Sequence, residues 1–127
     1  MFWQSKITNR QGRMAEETAL TFLKSQGLTL FRQNYACKAG EIDLVMRDGE
    51  TLVFVEVRFR SRSCFGTPEE SVNYHKQQRL IRAARHFLQT FRLTDKHPCR
   101  FDIITFQPNK DSHAAPAINW LKNAFEC

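Results

Sequence analysis

Apolar residues recur along this chain with two spacings, and the places where one gives way to the other mark its elements. From about Asn9 to Gln26 the spacing is three to four: Ala15, Ala19, Phe22, Leu23 and Gln26 share one stripe, and Gly27 follows as a helix stop. Residues 28–37 (LTLFRQNYAC) alternate with period two, as a strand does. Gly40 precedes a second strand, Glu41–Met46, and Arg47-Asp48-Gly49-Glu50 puts Asp-Gly at a tight turn. Thr51–Arg60 (TLVFVEVRFR) is the clearest strand. After a loop over Ser61–Pro68, a longer helix is expected from about Glu69 to Phe91. Leu80, Ile81, Ala84, Phe87, Leu88 and Phe91 make its apolar face, and Arg79, Arg82 and His86 the other. Arg100–Phe106 reads as a fourth strand, Gln107–Pro116 as a polar connection, and Ala117–Trp120 as a short last strand or turn. The expectation is an α/β fold, order α-β-β-β-α-β-(β), with a mixed sheet flanked by helices. Residues 1–8 are expected to be a loose leader and residues 9–127 one domain.

The hairpin carries the first chemical inference. With Asp48 and Gly49 as central turn residues, Arg47 pairs with Glu50, Met46 with Thr51, Asp43 with Phe54 and Glu41 with Glu56. Alternation then puts Glu41, Asp43, Glu56, Arg58 and Arg60 on one face, and Ile42, Leu44, Val53, Val55 and Val57 on the other, as core. Like charges opposed across strands are destabilising, so something must neutralise the acids. Asp43 and Glu56, diagonal neighbours, suit a hard cation such as Mg²⁺, which takes oxygen ligands and keeps several waters. Arg58 and Arg60 pairing with the acids in a solvated ion cluster is the alternative.

Charge sharpens the picture. The chain nets +6, but residues 58–100 hold ten Lys or Arg against three acids, so this stretch is at +7 and the remainder at −1. Such a basic half attracts polyanions, phosphate backbones first among them. Eleven Phe against two Trp and two Tyr point to a Phe-built core. The four cysteines are scattered without a C-x-x-C pair, which argues against a zinc site and for reduced thiols. No apolar run approaches the roughly 20 residues of a membrane span. The first residues do not read as a signal peptide, so a cytoplasmic location is expected.

Gly40-Glu41-Ile42-Asp43-Leu44 followed by Val53-Phe54-Val55-Glu56-Val57-Arg58 resembles the D…ExK core of the PD-(D/E)XK nucleases. Gly12-Arg13-Met14-Ala15-Glu16-Glu17, Arg32-Gln33-Asn34, Arg100-Phe101-Asp102-Ile103 and the late Asn123-Ala124-Phe125 narrow the likeness to the bacterial YraN family, similar to archaeal Holliday-junction resolvases. The likeness spans about residues 9–125. It implies a restriction-endonuclease-like fold. It also implies Asp43 and Glu56 as metal-binding carboxylates with the Val57 carbonyl as a further oxygen ligand, Mg²⁺ (or Mn²⁺) as cofactor, and structured DNA as substrate. Glu16 matches a helix glutamate brought toward the metal; its alternative is an exposed acid favoured by the helix dipole. Arg58 stands where the superfamily has lysine. Arginine grips phosphate but cannot act as a general base. Lys76 either substitutes for that lysine or is an ordinary helix-boundary residue. Arg60, Arg62, Arg79 and Arg82 are expected along a phosphate track, Asp102 as a brace or structural ion pair, and a homodimer is an option because resolvase-like proteins pair. An endonuclease and a non-catalytic nucleic-acid-binding module are the two leading functions; a protein-interaction domain without nucleic acid is a third.

Overall fold

Residues 9–59, 72–107 and 117–125 are described by the structure, a computed structural model, with side chains from Gly12 onward. The elements are α1 (Asn9–Ser25), β1 (Thr29–Cys37), β2 (Gly40–Asp48), β3 (Thr51–Phe59), α2 (Tyr74–Thr90), β4 (Cys99–Gln107) and β5 (Ala117–Phe125). Strands lie in the order β1-β2-β3-β4-β5, antiparallel except for the parallel β3–β4 pair that α2 bridges. This is the expected restriction-endonuclease-like arrangement. No described helix is long and apolar enough to cross a membrane.

Helix ends follow from local chemistry. Gly27, at φ 97, ends α1: its amide donates to the Lys24 carbonyl and the Leu28 amide to that of Leu23. Both leucines are buried together, completing a Schellman cap. The second helix starts at Tyr74 rather than Glu69, because the Asn73 side chain caps it by accepting from the Lys76 amide at 2.9 Å. Its apolar face is the expected one, with Ala83 added.

Each helix covers one face of the sheet. Ala15, Ala19 and Leu23 of α1 pack with Leu44, Met46, Val53, Val55, Ile104 and Phe106. On the other side, Leu80, Ile81, Ala84 and Phe87 of α2 pack with Val45, Phe54, Phe101 and Ile103. The expected Phe-rich core is on this second side, where Phe54 meets both Phe87 and Phe101.

Three local expectations need correcting. The β2–β3 turn centres on Gly49-Glu50, closed by Asp48↔Thr51, and not on Asp48-Gly49. Of the two, only Gly49 has a left-handed φ (62), the pattern of a type II′ turn with glycine first. Every pair is displaced accordingly: Met46 faces Val53, Val45 faces Phe54 and Leu44 faces Val55, so Glu41 does not oppose Glu56. Ile42 also leaves the face of Leu44 and packs with Tyr35 on the α2 side. The change falls where Asn34 of β1, at φ 51, sits between the Gln33↔Leu44 and Tyr35↔Ile42 pairs. Finally, β5 runs on to Phe125. A register shift after Phe101 lets it continue, and the Asp102 carboxylate fills the irregularity by accepting from the Asn123 amide at 2.9 Å.

Candidate functional site

The β2–β3 ladder stops at Leu44↔Val55, while β1–β2 continues to Cys37↔Gly40 and β3–β4 to Phe59↔Phe106. Beyond that point the sheet forks. Asp43 lies at the crotch, where its Oδ2 takes the Val57 amide at 2.9 Å in place of a backbone carbonyl. Glu56, one residue before Val57, is 6% exposed, and its charge acts on the Asp43 carboxyl. Two neighbouring acids cannot both ionise cheaply. Burial first, then the charges of Glu56 and Glu16, hold Asp43 well above the usual carboxylate range.

Further groups approach from the helices. Glu16 of α1 faces the fork and is hydrogen-bonded to Asn34. Burial, with Glu41 and Glu56 adding to it, pushes its carboxyl up to about 7. From the other side comes Lys76, in the first turn of α2, with Nζ 3.3 Å from Glu56 Oε2. Arg58 is more distant, at 3.8 Å from the same oxygen. Among the described residues the second oxygen, Glu56 Oε1, is buried with no partner, as is Thr105 Oγ1 on β4, which pairs with Arg58 in the ladder.

The fold thus gathers Glu16, Asp43, Glu56, Arg58 and Lys76 at the fork. Val57 engages Asp43 through its amide. Arg79 and Arg82 are exposed residues of α2 on the side toward the β1–β2 hairpin, away from the fork, and Arg60 and Arg62 lie outside the described residues. Glu41, expected on the acidic face, acts on Glu16, while Asn34 and Thr105 join the site without having been singled out for it. A left-handed asparagine and a core-strand threonine give no local sign of the tertiary contacts they make. Asp102 belongs elsewhere: it accepts from Arg100 Nε, Trp120 Nε1 and the Asn123 amide, and Arg100 reaches on to Asp48. It is a structural brace. Trp120 packs edge-on to Phe22, a core role.

Among the described residues no group of three or more His, Cys, Asp or Glu has the spacing of a metal cluster. Mg²⁺ does not require one, since it is commonly held by one or two carboxylates together with water and substrate phosphate. The donor set at the fork fits such an ion: oxygen only, two mutually repelling acids, and the buried Glu56 Oε1 lacking any partner.

Comparison with known proteins agrees over most of the length. A family model described as "Uncharacterised protein family UPF0102" matches residues 15–106. A UPF0102 protein of Pseudomonas syringae pv. syringae is 50% identical over 123 residues, 97% of this chain and 98% of that one. One from Legionella pneumophila is 47% identical over 120 residues, covering 94% and 98%. Another, from Pseudomonas savastanoi pv. phaseolicola, is 52% identical over 115 residues, covering 91% and 92%.

Proposed function

The chain belongs to the UPF0102 family, and from that premise we propose that it is a Mg²⁺-dependent endonuclease hydrolysing phosphodiester bonds in structured DNA. The observation that carries this is the pairing at one fork of Asp43, held by the Val57 amide and raised by the charge of Glu56, with a buried Glu56 whose Oε1 has no partner among the described residues and has Lys76 alongside. The resemblance to YraN proteins and to Holliday-junction resolvases supports branched DNA as the substrate.

Asp43 and Glu56 hold the ion, with the Val57 carbonyl as a further oxygen. When bound, Mg²⁺ supplies Lewis-acid polarisation of a phosphoryl oxygen and acidifies a water. The protein does the rest. The Val57 amide fixes the Asp43 carboxylate across the open fork. Lys76, with its Nζ 3.3 Å from Glu56, takes the electrostatic part of the superfamily lysine. Its ammonium meets the charge that develops on the phosphate, and Arg58 adds donors on the same side. Asn73 sets the position of Lys76 by capping its amide. Glu16, half-buried on α1 and electrostatically tied to Glu56, is the group placed to exchange a proton with the attacking water. Water adds to phosphorus, one P–O ester bond breaks, and a phosphomonoester and a hydroxyl end result.

Purified protein incubated with duplex, nicked, flapped and four-way DNA and Mg²⁺ or Mn²⁺ tests this. Cleavage that is lost in Asp43→Ala and Glu56→Ala is the expected result, and no cleavage of any substrate overturns it. One observation favours the second reading, a binding module that kept the nuclease fold: Lys76 and Arg58 together already offset the Glu56 charge. That reading expects salt-sensitive DNA binding with no scission.

A further inference from the structure

Basic residues further along α2 gather in a different place. The β1–β2 hairpin turns at Lys38-Ala39, is closed by Cys37↔Gly40, and lies close to α2: a Cβ on Gly40 would stand 3.7 Å from that of Arg79. Between hairpin and helix is an open cleft of about 750 Å³, walled by Lys38 on one side and by Arg82, Arg85, His86 and Gln89 on the other. Among the described residues no carboxylate lines it. Among the described residues Lys38, Arg82 and Arg85 have no ion-pair partner, whereas Arg58, Lys76 and Arg100 each have one. Unneutralised cations converging on one concave wall raise the local potential and favour an anion there.

His86 stands on the cleft wall and is tied to the fold through Nδ1. Tyr35 is 8% exposed, and its hydroxyl lies 2.5 Å from His86 Nδ1 and 3.2 Å from Thr90 Oγ1.

Spacing identifies the ligand class. Lys76, beside Glu56, precedes Arg82 by six residues and Arg85 by nine. At about 1.5 Å per residue these lie roughly 9 and 14 Å further along the helix. At about 3.4 Å per base pair that is roughly three to four steps of duplex. From Lys76 at the fork to Arg85 in the cleft the cations of α2 run over more than two turns, which suits a run of phosphates better than one small anion. We propose that this cleft is a second site, which holds backbone phosphates three to four base pairs from the phosphodiester at the carboxylates. The placement of the cut rests on the nuclease reading; the binding does not need cleavage.

The test uses the whole protein in EDTA and a fluorescent duplex of about 20 base pairs, with anisotropy followed between about 50 and 200 mM NaCl. Each lost phosphate contact reduces the steepness of log K against log salt by about 0.9. Arg82→Ala with Arg85→Ala is therefore expected to flatten the slope by about 2 and Lys38→Ala by about 1. Lys24→Ala, at the end of α1, leaves it unchanged. Inorganic phosphate at matched ionic strength is expected to displace no more duplex than chloride does. Stronger displacement by phosphate, present in the wild type and lost in the double variant, would identify a free-anion site and overturn the proposal. So would wild-type slopes in both variants. The two readings fail separately: flattened slopes without any cleavage keep the cleft and remove the nuclease, and cleavage with unchanged slopes does the reverse.

Discussion

Asp43 and Val57 belong to strands whose ladder has already ended, yet a 2.9 Å hydrogen bond joins the Val57 amide to the Asp43 carboxylate. One side chain thereby does two jobs, closing the fork and presenting its charge beside Glu56. Asparagine separates them, because it keeps the acceptor and loses the charge. In EDTA at neutral pH, Asp43→Asn is expected to be more stable to urea than the wild type, since it relieves a carboxyl that burial and Glu56 hold well above its usual range. The folded protein keeps that proton to higher pH than the unfolded chain, so the advantage grows as pH rises above the unfolded value near 3.8 and vanishes below it. Asp43→Ala strands the Val57 amide and is expected to be about 1–3 kcal/mol less stable than Asp43→Asn.

Glu16 makes the metal-free protein sensitive to pH in a defined window. Its carboxyl is at about 7 in the fold against 4.5 unfolded, so stability falls as pH rises between those values and is level on either side. Glu16→Gln removes this. Urea midpoints should match the wild type below pH 4.5 and exceed it above pH 7. The gain expected is about 1–2 kcal/mol, the shift of a half-buried group discounted for solvent screening.

Lys76, not Arg58, is expected to be the cation on which turnover depends. Lys76→Met should lower the single-turnover cleavage rate by about 10²–10³-fold without weakening metal binding. Arg58→Lys should cut at a rate within about tenfold of the wild type, since lysine keeps the charge and only the fork geometry is lost. Equal losses at both positions would contradict the assignment.

Asp102 is buried like Glu56, but every donor around it is used. Asp102→Ala leaves the Trp120 N–H and the Asn123 amide without their partner and the Arg100 guanidinium with Asp48 alone. It is expected to cost about 3–5 kcal/mol in urea unfolding. Protein that remains folded should bind metal as the wild type does.

At the end of α2, Arg92 occupies the left-handed position (φ 57) of a Schellman cap: its amide donates to the Gln89 carbonyl and that of Leu93 to Leu88. Glycine adopts this conformation without the Cβ penalty. Arg92→Gly should therefore stabilise by up to about 1 kcal/mol, with some of the gain offset by unfolded-chain entropy.

What was legible in the sequence was whatever a short period encodes. Ala15, Ala19 and Leu23 announce the buried stripe of α1, and alternation in TLVFVEVRF announces β3. The turn was misplaced because Asp48-Gly49 suggests a type I′ hairpin, whereas Gly49-Glu50 forms the turn. Asp43 and Glu56 were still expected on one side because each strand moved by one residue, and two such steps restore the same face. Ile42 was misassigned because the cause, a left-handed Asn34, sits on the neighbouring strand. The approach of Lys76 to Glu56 and of Lys38 to Arg82 depends on where α2 lands on the sheet. No local pattern in the chain encodes that.

The central claim is that Asp43 and Glu56 together hold one divalent cation. Calorimetric titration of Mg²⁺ into the wild type and Asp43→Asn, both shown folded by urea unfolding, tests it most directly. The account predicts one ion per wild-type chain and affinity weakened by more than about tenfold in the variant. Identical isotherms for the two proteins, or no heat in either, would contradict it.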